Sequence, residues 1–168
     1  MNKFTLFLAL FVLLHLSASA KCGDAKRMQQ LEYKKAVATY VTVISQKIAK
    51  QFSANIAPYK KATLLLELQA IVNLYDPKKS SIATQKIAQN LLHALFVEGF
   101  KVLDGKSQKA NCEMVATYIN YKNGMLINAR IVDKKTREIY TSAQVFVTRK
   151  ELKSINKIYN KYSWFSQN

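Results

Sequence analysis

The run MVATYINYKNGMLINARIVDKKTREIYTSAQVFV, residues 114–147, decides the fold of this chain. Within it, Asn123-Gly124 separates two stretches in which apolar and polar residues alternate, and Asn-Gly in that setting is the strongest short-range signal for a β-hairpin. We therefore predict strands over Met114–Tyr121 and Met125–Val132. A polar turn follows, and the alternation resumes over Ile139–Val147. The sequence thus predicts three strands that close the domain.

A long amphipathic helix is predicted before these strands, from Asp24 to about Phe52, because this segment contains no Gly or Pro and Asp24 is a suitable N-cap. Its apolar residues recur at helical spacing: Tyr33, Val37, Tyr40, Val41, Ile44, Ile48 and Phe52. A basic amphipathic helix can lie on a membrane surface, but packing of the apolar stripe on the sheet is the favoured interpretation. Pro58 is expected to end the helix.

Between this helix and the hairpin, the pattern predicts a strand, a helix and a second short strand. Every second residue is apolar in the first strand, over Leu64–Leu74: Leu64, Leu66, Leu68, Ala70, Val72 and Leu74. Ser80 or Ser81 is expected to cap the helix, and Gly99 is expected to end it. The expected core face of this helix is Ile87, Ala88, Leu91, Leu92 and Leu95. The second strand is predicted over Phe100–Leu103.

A capping box of Thr148 and Glu151 predicts a last helix. The predicted order of elements is therefore α-β-α-β-β-β-β-α, without repeats or a low-complexity linker. This order is typical of an α/β or α+β fold in which helices pack on a mixed sheet of about five strands. We expect one small domain over residues 58–168, preceded by the amphipathic helix within residues 21–57 and by a signal peptide over residues 1–20.

The first twenty residues have the three parts of a secretory signal peptide. Lys3 is the positive charge, Phe4–Leu16 is the apolar stretch, and Ala18-Ser19-Ala20 is the small-residue cleavage motif. The apolar stretch is shorter than the ~20 residues that span a bilayer. Cys22 raises the alternative of a lipoprotein, but Lys21 stands where a small residue is needed and argues against lipidation. We expect an exported, periplasmic or secreted protein.

The chain is strongly basic, with a formal net charge of +16. A large positive charge attracts polyanions, and for an exported protein these are lipid head groups, lipopolysaccharide or an acidic partner rather than nucleic acid. The alternative is a general preference for lysine without a functional meaning. A candidate anion-binding patch, if the fold brings its members together, consists of Lys134, Lys135, Arg137, Arg149, Lys150 and Lys153.

The chain has two cysteines, Cys22 and Cys112. An oxidising compartment favours a disulfide between them, which would tie the N-terminus to the body of the domain. Closing so long a loop could stabilise the fold by roughly 4–5 kcal/mol on the chain-entropy model. A free pair of thiols and a lipidated Cys22 are the alternatives.

No constellation of residues that performs catalysis or holds a cofactor or metal ion is recognisable in the sequence. His93 is the only histidine after the signal peptide and lies on a predicted helix among leucines, which favours a structural role. Asp104 and Asp133 have no second carboxylate at metal-ligand spacing beside them. We therefore expect no enzyme, no cofactor and no metal site. A thiol enzyme is the alternative if Cys22 and Cys112 are free.

Several segments, over roughly Leu64–Lys150, resemble the FlgO family of flagellar envelope proteins. The matching segments are Ser81–Leu92, Gly99–Asp104, Gly124–Asp133 and Tyr140–Val147. Family members usually carry a longer stretch with another helix where this chain has only Gly105–Glu113.

The resemblance implies a non-enzymatic, outer-membrane-associated periplasmic protein that supports flagellar assembly, motor structure or motility. Its partners would be flagellar or envelope proteins, and the resemblance assigns no site residues and no oligomeric state. The alternative is a basic module that binds an envelope polyanion such as lipopolysaccharide. Such binding would weaken strongly with salt, since salt screens exposed charges over about 8–10 Å.

Overall fold

The computed structural model describes residues 31, 35, 38–103 and 106–162, with side chains up to residue 157. The chain divides into two compact units, residues 1–36 and 37–168, and all the helices and strands named below lie in the second. The predicted signal peptide, Cys22, Asp104 and most of the predicted helix before residue 38 lie outside the described residues.

The second unit contains four helices and five strands among its described residues. In chain order these are α1 (38–54), α2 (Pro58–Thr63), β1 (Leu65–Asn73), α3 (Ile82–Val97), β2 (Lys101–Leu103), β3 (Cys112–Tyr121), β4 (Gly124–Asp133), β5 (Ile139–Thr148) and α4 (Arg149–Tyr162). The strands form one sheet in the order β2-β1-β3-β4-β5. Strand β1 is parallel to β2 and β3, whereas β3, β4 and β5 are antiparallel to their neighbours. The expected α+β class is confirmed.

Most of the predicted apolar stripe is buried over the described part of α1, where only Tyr40 is half-buried. Val41, Ile44, Ile48 and Phe52 are buried, and the hydroxyl of Ser45 donates a hydrogen bond to the Ile87 carbonyl of α3 at 3.0 Å. This buried stripe therefore packs within the domain. Tyr33 and Val37, also predicted for the stripe, lie outside the described residues.

The role predicted for Pro58 was incomplete. Helix α1 ends before it, at residue 54, and Pro58 itself begins the six-residue helix α2, which the sequence reasoning missed. Proline suits the first position of a helix because its fixed φ is already helical and its missing N–H would have no partner there. Pro58 therefore begins the helix α2 and also follows the end of α1.

The alternation predicted along β1 is broken in the middle of the strand. The register with β3 shifts between Leu68 and Ile71. Ile71 is consequently buried, whereas Ala70 and Leu74 of the predicted apolar face are exposed. An extra residue in one strand moves the following side chains to the opposite face, which a strict period of two cannot represent.

Both predicted ends of α3 are confirmed. Ser81 is the N-cap, and its hydroxyl accepts a hydrogen bond from the Thr84 N–H at 3.1 Å while the Thr84 hydroxyl accepts one from the Ser81 N–H at 3.0 Å. Gly99 follows the helix with a φ of +86°, a conformation that glycine adopts without a steric penalty. The helix is thus held by local signals at both ends.

The predicted hairpin is present, with a two-residue turn of Lys122 and Asn123 between the paired Tyr121 and Gly124. Gly124 therefore belongs to β4 rather than to the turn. A Cβ atom at this position would lie 2.3 Å from the Val147 carbonyl oxygen, so the close approach of β4 and β5 requires glycine here.

One face of the sheet is covered by helices, and we call it the inner face. Helix α3 contacts β1 and β2, α4 contacts β4 and β5, and the two helices contact each other. The buried side chains on this face of the three C-terminal strands include Met114, Ala116, Tyr118, Ile127, Ala129, Ile131, Thr141, Ala143 and Val145. The predicted capping box also holds α4, because Thr148 and Glu151 exchange hydrogen bonds of 2.7–3.3 Å.

Candidate binding face of the sheet

The opposite face of the sheet, which we call the outer face, carries four rows of side chains that run across the strands. The pairing of the strands defines these rows. The first row is apolar: Leu74, Ile119, Leu126 and Phe146. The second contains Val72, Thr117, Asn128 and Gln144. The third contains Val115, Arg130 and Ser142. The fourth contains Glu67, Glu113 and Val132.

The first row exposes large apolar side chains to solvent. Leu74 and Phe146, at its two ends, are 46% and 42% exposed, and Ile119 and Leu126 between them are half-buried. An antiparallel sheet with one face towards solvent normally places polar residues on that face. The first row departs from this pattern. It is the part of the outer face where a bound partner would remove the most apolar surface from water.

The second and third rows line a shallow cavity of about 550 Å³. Its lining includes Thr117, Asn128 and Gln144 from the second row and Arg130 from the third. The Gln144 amide donates a hydrogen bond to the Asn128 side-chain oxygen at 2.6 Å, so the two amides form a polar band across β4 and β5. The cavity therefore combines neutral amides with one positive charge.

Helix α1 closes part of the free edge of β5 beside this cavity. The amide of Gln51 accepts a hydrogen bond from the Gln144 N–H at 2.8 Å and donates one to the Gln144 carbonyl at 3.1 Å. Asn55 donates to the Ser142 carbonyl at 3.4 Å. An uncovered edge strand is a template for pairing with another chain, and the two amide side chains occupy it. Among the described residues of the outer face, Leu74, Phe146 and Arg130 remain exposed although this stretch of the edge is covered.

Arg130 is the exposed cation at the centre of the outer face. Its neighbours across the strands are Val115 and Ser142, which carry no charge. Among the residues that the structure describes, none accepts a hydrogen bond from its guanidinium or forms an ion pair with it. Within the described residues, the charge of Arg130 is therefore not compensated.

The fourth row contains two carboxylates that the protein neutralises internally. Glu67 and Glu113 are direct partners on the parallel strands β1 and β3, and both are buried. Lys134 forms an ion pair with Glu67 at 3.2 Å, and Arg137 forms one with Glu113. A hydrogen bond from the Ser107 N–H lowers the pKa of Glu67, burial opposes this shift, and Lys134 supports it.

The six residues of the predicted anion-binding patch are divided between two places. Lys134, Lys135 and Arg137 lie in the turn between β4 and β5, whereas Arg149, Lys150 and Lys153 lie at the start of α4. The ten-residue strand β5 separates the two groups by about 30 Å at ~3.4 Å per residue. In addition, Lys134 and Arg137 already form the ion pairs of the fourth row, so the six residues do not form one patch.

Cys112 lies on the inner face at the far end of β3 and is fully buried. Burial raises the pKa of its thiol to about 11, the charge of Asp133 adds to the shift, and Lys60 opposes it. A thiol in this state is a poor nucleophile. The disulfide with Cys22 stays a prediction, since Cys22 lies outside the described residues.

The part of the chain that the structure describes contains no group of three or more His, Cys, Asp or Glu side chains suited to a metal ion. His93 is exposed on α3. Within the described residues, no helix has the length and apolar character needed to cross a membrane.

Comparison with known families concerns the same strands. The family model for the FlgO protein matches residues 105–152. The FlgO resemblance is confirmed over this segment. The FlgO match includes β3, β4 and β5 and extends into the first turn of α4, so it contains three of the four strands that carry the rows of the outer face.

Solved structures with a partly similar fold include the C-terminal domain of LpoB from Salmonella enterica, at 14% sequence identity and a TM-score of 0.49. That likeness covers 65% of this chain and 98% of the LpoB domain. The corresponding Escherichia coli domain has 15% identity and a TM-score of 0.47, with 62% and 98% covered. Neither likeness carries an inference about function. No curated protein sequence matches this chain.

Proposed function

We propose that this chain is a non-enzymatic interaction protein of the bacterial envelope that supports flagellar assembly, motor structure or motility. In this proposal it acts by holding a partner on the outer face of its sheet. The observation that carries the proposal is the first row of that face, where Leu74 and Phe146 are almost half exposed beside a cavity of about 550 Å³. Burying such a row against a partner would stabilise a complex by removing apolar surface from water.

The FlgO match supports the flagellar setting, because it falls on strands that carry the outer face. The predicted signal peptide supports export. Among the described residues of the outer face, the carboxylates Glu67 and Glu113 are both paired, and on the inner face the thiol of Cys112 is buried and protonated, which favours binding over catalysis.

The proposal is tested in a strain that lacks this gene, by swimming assays and by imaging of the flagellar motors in the intact envelope. We expect lost or reduced motility and a missing part of the motor density, both restored by the wild-type gene. Normal swimming with intact motors in the deletion strain would refute the flagellar role.

Complementation with variants tests the role of the outer face. We expect Leu126→Asp combined with Phe146→Asp to fail, because two charges would stand in the first row. Phe96→Asp is the matched control, since Phe96 lies on α3 and is 69% exposed. The amount of each variant in the envelope fraction and its thermal unfolding show whether a failure arises from lost folding. If the folded double variant restores motility as well as the wild type does, the outer face is not the functional surface.

Binding of an envelope polyanion such as lipopolysaccharide is the alternative function, and the structure supports it less. The predicted basic residues are divided between the two ends of β4–β5, and Lys134 and Arg137 have carboxylate partners. A binding that disappears when Lys150 and Lys153 are replaced by glutamate, and that weakens steeply with salt, would favour this alternative.

A further inference from the structure

We propose that the outer face recognises a partner segment in which an acidic residue lies next to apolar residues, with the carboxylate bound by Arg130 and the apolar side chains placed on the first row. This inference specifies the partner chemistry of the proposed function and rests on it. The recognition element is the juxtaposition of one uncompensated arginine, a band of amides and an apolar row on adjacent rows of the same sheet face.

Arg130 sets the charge of the partner. Its guanidinium presents a planar fork of donors that matches a carboxylate, and the described residues leave that fork without an acceptor. Val115 and Ser142 on either side are small or neutral, so nothing on the adjacent strands competes for the ligand. A single carboxylate satisfies this geometry.

The amide band sets the polarity of the partner next to that carboxylate. The Gln144 amide nitrogen donates to the Asn128 oxygen, and none of the described residues accepts from the Asn128 side-chain nitrogen or donates to the Gln144 side-chain oxygen. The Asn128 amide nitrogen is a donor and the Gln144 amide oxygen is an acceptor for polar groups of a partner segment. Thr117 adds a hydroxyl in the same row.

The first row determines where the apolar residues of the partner lie. Ile119, Leu126 and Phe146 run across β3, β4 and β5, and Leu74, the residue after β1, continues the row, which lies two rows away from Arg130. Outward-pointing residues two rows apart are separated by four residues along a strand, or about 14 Å. A partner segment of a few residues therefore reaches from Arg130 to the apolar row.

A second copy of this chain fits the outer face poorly. The carboxylates that its strands point outward are Glu67 and Glu113, and Lys134 and Arg137 neutralise both. A facing copy would thus offer no free carboxylate to Arg130 from these strands. The net charge of +16 also opposes self-association, so the acidic group comes from a different protein.

A polyanion also fits this site less well than a single acidic residue. Polyanion sites gather several cations, whereas the second and third rows contain Arg130 alone among neutral side chains. The expected salt dependence of binding is accordingly modest, since the apolar row contributes a part that salt does not screen.

The test uses random peptides displayed on phage and selected on the purified protein. We expect selected peptides to contain Asp or Glu within a few residues of large apolar residues. Each selected peptide is then synthesised, and its affinity is measured for the wild type, for Arg130→Glu and for the control Lys153→Glu, which makes the same change of charge at an exposed position of α4. Circular dichroism melting confirms that the variants are folded.

We expect Arg130→Glu to weaken binding about tenfold or more, because a charge-assisted hydrogen bond is lost and a like charge is introduced. Lys153→Glu should change the affinity by less than about twofold, since only long-range attraction is altered. Replacing the acidic residue of the peptide with lysine should restore binding to Arg130→Glu. Selection of no binder, of peptides without an acidic residue, or of peptides that bind both variants equally would overturn the inference, and the motility test above would still stand by itself.

Discussion

The two faces of this sheet are formed by the same strands but differ in how far their side chains are buried. On the inner face, Ile127, Ala129 and Ile131 of β4 are buried beneath helices. On the outer face, Leu126 and Asn128 of the same strand are only partly covered, and Arg130 is exposed. The inner face therefore holds the fold together. The outer face carries apolar and charged groups that the fold does not need, and this difference is the reason for assigning it to a partner.

The two ends of the outer face differ as well. At the end with the fourth row, Glu67 and Glu113 are enclosed and neutralised by residues of the β4–β5 turn. At the end with the first row, Leu74 and Phe146 have no such cover among the described residues. The carboxylates are neutralised at one end of the outer face, and the apolar side chains are exposed at the other. This difference would fix the orientation of a bound partner, with its apolar residues on the first row.

The largest expected effect is a difference in stability between a substitution on the inner face and one on the outer face. We predict that Ile127→Ala lowers the free energy of unfolding by about 2–5 kcal/mol, because a fully buried side chain is removed from the core. Its sequence neighbour Leu126→Ala on the outer face should cost about 1 kcal/mol or less. Urea unfolding followed by circular dichroism measures both. Equal losses would mean that the outer face is part of the core.

A smaller effect is expected at the point where the hairpin supports the first row. Gly124→Ala would place a Cβ atom 2.3 Å from the Val147 carbonyl oxygen and 2.6 Å from the Phe146 ring. We predict a loss of about 1–3 kcal/mol, as for other overpacked sites, together with displacement of Phe146 from the first row. Lys122→Ala in the adjacent turn is the control and should leave the unfolding midpoint unchanged. A stable Gly124→Ala protein would show that the close approach of the two strands is not required.

The smallest effect concerns the turn that neutralises the fourth row. Hydrogen bonds from the Thr136 N–H, from Tyr140 and from the Lys135 N–H lower the pKa of Asp133 from 3.8 to about 2. Because the pKa is lower in the folded protein, this contribution to stability is complete above about pH 4 and is lost as the pH falls towards 2. We predict that Asp133→Asn removes this acid-dependent loss.

Tyr140→Phe sharpens the same prediction, since it removes one hydrogen bond and keeps the two from the backbone. The acid-dependent loss should therefore be reduced in this variant but still present. Unfolding midpoints in urea between pH 2 and 6 measure both variants. If Tyr140→Phe abolishes the pH dependence as completely as Asp133→Asn does, the backbone hydrogen bonds contribute less than we infer.

The sequence predicted most of the elements but little of the outer face. Ser81 and Gly99 act on neighbouring residues, and the Asn123-Gly124 pair stands between two alternating stretches, so the ends of α3 and the hairpin could be recognised without the fold. The register shift between Leu68 and Ile71 left no such local signal, and it moved the second half of β1 to the other face.

The candidate site depends on contacts between distant residues. Gln51 and Gln144 are 93 positions apart in the chain, and no local sequence pattern predicts the hydrogen bonds between them. Arg137 was included in the candidate anion-binding patch, because its ion pair with Glu113 of another strand could not be recognised in the sequence. The row of Asn128 and Gln144 could have been found by extending the hairpin register across β5, once the turn to β5 was placed. Arg130 stood out only when the structure showed which cations have partners.

The central claim, that the outer face holds a partner, is tested most directly by site-specific photo-crosslinking in living cells. A photoreactive phenylalanine analogue replaces Phe146 in one strain and Phe96 in another, since both side chains are exposed but lie on different surfaces. We predict a defined crosslinked species with the analogue at position 146, lost in the Arg130→Glu background, and none at position 96. A crosslinked species at position 96 with none at position 146 would contradict the account and place the partner on the helical side of the domain.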